Sequence, residues 1–146
     1  MGVIPRLLTR LQFQMFSDPS PLKSGYLNGF RLKMTRYAEA LTQRDRLIAQ
    51  LENFLSQWDA LLCPVTVGPA FRHCKMGEPV TIDSQKAPYF TSNMSFTTVF
   101  NMTGNPVVVL PMSQSKEGLP IGVQVVGQRW SDMALLAVAE KISEIA

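Results

Sequence analysis

The run PVVVLP, Pro106 to Pro111, is apolar at every position rather than at alternate ones. That pattern suits a strand covered on both faces, as in the centre of an α/β sheet, and not one with a wet side. A second run, IGVQVVG from Ile121 to Gly127, follows after SQSKEGLP, which supplies turn residues. Two strands joined by a Gly/Pro-rich turn therefore predict a sheet that needs helices on both sides.

The helices come from spacing. Between about Leu32 and Trp58, residues Met34, Tyr37, Ala38, Leu41, Ile48, Leu51, Phe54, Leu55 and Trp58 recur at three- and four-residue steps. This predicts a long amphipathic helix. DALLCPV, Asp59 to Val65, reads as a short buried strand stopped by Pro64, and GPAFRHCKMGEP as an irregular connection. Thr91 to Met102 reads as a helix with Gly104 as its left-handed cap. A final helix capped by Ser131 or Asp132 turns Met133, Leu136, Ala139, Ile142 and Ile145 inward. Residues 3–16 have helical spacing, and SDPSPLKSG, Ser17 to Gly25, reads as a breaker-rich loop. The fold class is α/β, with residues 1–31 as an N-terminal helix and loop, and 32–146 as one region of a larger domain. One long helix and two short ones leave apolar sheet surface and strand edges uncovered.

Composition narrows the function classes. Hydrophobic residues are 46% and charged residues 17% of the 146 residues, which excludes whole-chain disorder. No apolar run is long enough to span a membrane, and the N-terminus, with Arg6 and Arg10 inside its apolar stretch, is a poor secretory signal. The expected address is cytoplasmic, where Cys63 and Cys74 are read as thiols rather than a disulfide. Net charge is +3, of which residues 1–46 carry eight basic against three acidic residues. Those charges are spaced singly along predicted helices with no recognition motif, so no nucleic-acid partner is expected.

The order of three segments resembles the C-terminal third of the amidase signature family. They are RYAEALTQRDRLIAQLENFLSQWDALLCPV, FNMTGNPVVVLPM and GLPIGVQVVGQRWSDMALLAVAEKI, spread over roughly Met34 to Ala146. The resemblance implies a single α/β domain with a large mixed sheet that hydrolyses carboxamides by a serine mechanism. A related branch supplies glutamine-dependent transamidase subunits, so the substrate stays open. The family's chemistry rests on a lysine and two serines, the serines in a Gly/Ser-rich segment N-terminal to everything here. This chain has no adjacent Ser-Ser pair, no GxSxG elbow and no match to the lysine's motif. No catalytic residue, cofactor or metal is therefore assigned.

The remaining candidates each have a plain structural reading. His73 beside Cys74 suggests a dyad, yet adjacent positions rarely align sulfur and imidazole, and an exposed loop histidine is the simpler reading. Cys63, His73, Cys74 and Asp83 lack metal-site spacing. Glu39, Asp45 and Glu52 read as a solvated helix face, with Arg36 and Arg44 in weak surface ion pairs. Asn101 reads as a local anchor of the FNMTG turn. Thr91, Met94 and Thr98 fall on one side of the predicted helix. The resemblance implies that they line an acyl-binding pocket; otherwise Met94 is core and the threonines satisfy backbone carbonyls.

Two functions follow. One is a C-terminal amidase region acting on small carboxamides with a missing N-terminal portion as partner, inactive alone. The other is a non-catalytic module that self-associates through its open sheet.

Overall fold

The computed structural model describes residues 9–11, 14, 19 and 21–145. The predicted helix over 3–16 lies outside these, apart from residues 9–11 and 14, which are helical. The chain then forms α1 (Pro21–Gly29), α2 (Met34–Leu55), β1 (Leu61–Pro64), β2 (Val80–Ile82) and β3 (Gln85–Ala87). After these come α3 (Tyr89–Met94), α4 (Thr98–Thr103), β4 (Val107–Gln114), β5 (Pro120–Val126) and α5 (Asp132–Ser143).

The main sheet is antiparallel with order β1-β5-β4. Central β5 pairs Val125 with Leu62 on one side and Val108 on the other. Leu55 at the end of α2 and Val125 and Val126 on β5 are fully buried, joined by Phe100 on α4 and Leu135 and Ala139 on α5. The core is thus the seam where these helices meet the central strand.

Several expectations change. The segment Ser17 to Gly25, read as a loop, contains the start of α1. Pro21 opens that helix, where a missing N–H costs nothing, and the Ser24 hydroxyl donates to the Pro21 carbonyl at 2.9 Å. The helix expected over Thr91 to Met102 is two helices. Between them Thr97 and Thr98 both donate their hydroxyls to the Met94 carbonyl, at 3.4 and 2.7 Å, and Ser95 donates its own to Thr91 O. Side chains there compete with the helical ladder for its acceptors. Gly104 takes the expected left-handed cap at φ 76°, its N–H donating to Phe100 O.

A small hairpin, β2 paired with β3, interrupts the connection expected to be irregular; both its turn residues, Asp83 and Ser84, adopt positive φ, as a two-residue primed turn requires. The strand over 107–110, expected to be covered on both faces, is an edge strand instead, and Val109 is 55% exposed. On α5 Ala139 faces inward as expected, joined by Leu135, whereas Met133 and Leu136, and Ile145 just beyond the helix, are exposed. Leu135 packs closely on Gly127, where a Cβ would lie 3.2 Å from it and the leucine would have to give way by a few tenths of an ångström. Long α2 is buried at its C-terminal end alone, and Met34 and Tyr37 stand exposed on the stripe that the spacing marks as apolar.

Candidate functional site

The elements that frame the site are the short helices α3 and α4, the 66–71 loop after β1, and the end of the central strand. Their junction depends on Gln124. The break after α3 leaves Phe96 outside any helix, and β1 ends at Pro64, which pairs with Val123 of β5. The Gln124 amide, 2% exposed, donates Nε2 to Pro64 O at 2.7 Å and to Phe96 O at 3.2 Å. One buried polar side chain in an apolar strand thereby finds two carbonyl acceptors and ties β1 to the α3–α4 junction. It also lies 3.6 Å from Cys63 Sγ, where burial raises the thiol pKa against the lowering effect of that contact.

A second junction ties α2 to the same frame. The Glu52 carboxylate accepts from Asn105 Nδ2 at 2.7 Å and from the Arg129 backbone N–H at 3.2 to 3.3 Å. Asn105 Nδ2 also donates to Gly127 O at 2.9 Å. Glu52, expected on a solvated face, is half-buried and holds three segments together. Its signal in the sequence is its position one turn before Leu55. The anchor of the turn is buried Asn105; Asn101 is exposed. Arg36–Glu39 and Arg44–Asp45 form the expected surface ion pairs, at 2.9 and 3.0 Å.

Thr91 and Met94 lie on α3 and Thr98 opens α4, so the three stand on successive turns around the break. Met94 is 43% exposed and thus not core, while the Thr98 hydroxyl is committed to the Met94 carbonyl. Beside them, under the 66–71 loop, is a cavity of about 160 Å3 with Ser92 and Asn93 in its wall. His73 and Cys74 are both exposed, on the side of a broad cleft of about 870 Å3 between the 69–74 loop, the β2–β3 turn and the β4–β5 turn. Among the described residues no group of three His, Cys, Asp or Glu side chains is placed to hold a metal ion, and no helix is long and apolar enough to cross a membrane.

Serine chemistry needs a hydroxyl facing a base. Ser24, Ser56, Ser95, Ser131 and Ser143 all donate to main-chain carbonyls within their own turns. Ser115 does meet a carboxylate, Glu117 Oε2 at 2.8 Å, and this contact holds the Glu117 pKa below its usual value. Yet Ser115 Oγ simultaneously accepts the N–H groups of Glu117 and Leu119, which makes the pair a turn brace on an exposed hairpin.

The family model described as Amidase matches residues 20–136. The chain belongs to the amidase family. It is 36% identical over 118 residues to a glutamyl-tRNA(Gln) amidotransferase subunit of Bdellovibrio bacteriovorus, covering 81% of this chain and 21% of that protein. The same subunit of Xanthobacter autotrophicus is 33% identical over 125 residues, covering 86% and 23%. Among solved structures, a crystal structure of an amidase superposes with a TM-score of 0.65 at 32% identity, covering 82% of this chain and 27% of the other. The corresponding glutamyl-tRNA(Gln) amidotransferase subunit of Thermotoga maritima gives 0.54 at 27% identity, covering 92% and 26%. A bacterial aryl acylamidase shares the fold at 0.60. The chain therefore spans about a fifth to a quarter of the length of these amidase relatives.

Proposed function

We propose that this protein acts as the C-terminal region of an amidase-type hydrolase of carboxamide C–N bonds, in which residues 32–146 supply sheet strands and one wall of the substrate pocket. The nucleophile and its base belong to a complementary amidase portion, and this chain alone is catalytically silent. Thr91, Met94 and Thr98 are the residues proposed to face the acyl group, around the break between α3 and α4. The observation that carries the reading is the serine inventory: an amidase-family chain whose partnered hydroxyls are spent on its own backbone or a turn brace. Apolar surface left open at Val109, Met112, Met133 and Leu136 supports a partner that covers it.

The test is complementation. A relative amidase truncated of the matching region is mixed with this chain, and turnover of an aryl amide is followed. Restored turnover, lost again when Met94→Asp is introduced, is the expected result; no restoration despite a folded chain overturns it. Open β1 and β4 edges also favour a second reading, a non-catalytic module that pairs with itself. That reading predicts a concentration-dependent dimer by sedimentation and no gain of turnover on mixing.

A further inference from the structure

We propose that the open edge of β4 is a docking edge, which the complementary amidase portion meets with an extended, uncharged, mostly apolar strand that lengthens the sheet. This rests on the amidase reading above and names where, and with what, the two portions join.

The ladder decides which groups face outward. From Val107↔Val126 to Pro111↔Gly122, β4 and β5 keep one antiparallel register, and just before it the Gly127 N–H donates to Pro106 O at 3.1 Å. Bonded and unbonded pairs alternate along such a ladder. Val108 and Leu110 therefore turn their N–H and C=O groups toward β5. Val107 and Val109 turn theirs to the open side, and so does the carbonyl of Pro111. Two N–H and three C=O groups thus stand in a row with no strand beside them among the described residues.

The opposite edge of the sheet offers less. Val123 and Val125 bond to β4, so β5 turns Gln124 and Val126 toward β1, opposite Cys63 and Leu61. Leu62 is then the one β1 residue with both groups outward. Pro64 has no N–H, and its carbonyl already accepts from Gln124 Nε2 at 2.7 Å. On β4 the usual protection of a sheet edge by charge, proline or a bulge is nearly absent. No charged residue occurs between Asn105 and Ser115. Pro111 and the bulge before Ser113 guard the far end alone, and Val109 is 55% exposed. Proline fits at 111 because its missing N–H falls on the open side.

These features select the occupant. A row of main-chain donors and acceptors is matched by another extended chain and not by a helix. Val109 stands on one face of the sheet and Val108 and Leu110 on the other, so the incoming strand needs apolar residues at successive positions, as strands of a doubly covered sheet have. An edge without charge selects neither an acidic nor a basic partner. This chain covers 27% and 26% of the two amidase-family structures compared above, so the greater part of their length lies in the complementary portion that must meet it. Pairing β4 with a second copy would bring a Pro111 from each side, and two donors would be missing where one is.

The experiment mixes the full chain with the truncated relative amidase and follows turnover together with amide hydrogen exchange read at single residues. In the chain alone, Val108 and Leu110 should exchange slowly, and Val107 and Val109 fast. In a mixture that turns over an aryl amide, Val107 and Val109 should slow by roughly tenfold or more. Val109→Pro removes an outward N–H; it should keep its Tm and associate roughly tenfold or more weakly, while Val109→Ile, which keeps the N–H, should associate as the parent does. Restored turnover with Val107 and Val109 still exchanging fast, or undiminished association of a folded Val109→Pro, overturns this edge while the amidase reading stands. No restored turnover overturns both. Protection of Val107 and Val109 in the chain alone, rising with concentration, would place a second copy on the edge and contradict the proposal. Exchange in the parent chain needs no variant and decides by itself where Val109→Pro fails to fold.

Discussion

β5 lies between two neighbours and buries Val125 and Val126 completely, whereas β4, paired to it along most of its length, leaves Val109 55% and Met112 40% exposed. The two strands are nearly alike in apolar content. What separates them is position: β5 has a strand on each edge, while among the described residues β4 has one open edge and a face that no helix fully covers. An apolar run specifies that a strand wants cover, and the rest of the fold decides whether it gets it. The same contrast divides α2, buried at Leu55 and bare at Met34 and Tyr37.

Substitutions on the two sides of that contrast should differ most in stability. Leu55→Ala should lower the unfolding free energy by about 2–5 kcal/mol, and Val109→Ala by no more than about 0.5, measured by urea unfolding. Equal losses would mean that the β4 face is covered in solution, which would favour self-association. A smaller difference should separate two carboxylates of α2. Glu52→Ala leaves Asn105 Nδ2 and the Arg129 N–H short of an acceptor and should cost about 1–3 kcal/mol, while Glu39→Ala, removing an exposed ion pair, should stay within about 0.5. The weakest contrast is chemical. Burial raises the Cys63 pKa, so less thiolate is present near neutral pH; iodoacetamide should therefore modify exposed Cys74 before Cys63, as read by peptide mass spectrometry.

Periodicity is enough for α2, the three sheet strands and the cap at Gly104, because each rests on a local pattern of apolar spacing or on one backbone angle. It fails where a single distant contact decides. The rotation of α5 goes with the packing of Leu135 against Gly127, and the roles of Glu52 and Gln124 depend on carbonyls and N–H groups that other segments bring to them. The break after Met94 comes from hydroxyls competing with the ladder, which apolar spacing does not register. The β2–β3 hairpin is hard to read because its strands are three residues each and its turn, Asp83-Ser84, lacks glycine. At the candidate site, Thr91, Met94 and Thr98 are readable only through the family resemblance.

The proposal is that this amidase-family chain lends structure while the nucleophile belongs to a complementary amidase portion. It is tested most directly by incubating the purified chain with a panel of aryl and alkyl amides and with a serine-directed fluorophosphonate probe. No turnover and no labelled serine are expected. Turnover accompanied by labelling at a single serine, Ser92 or Ser95 above all, would contradict it.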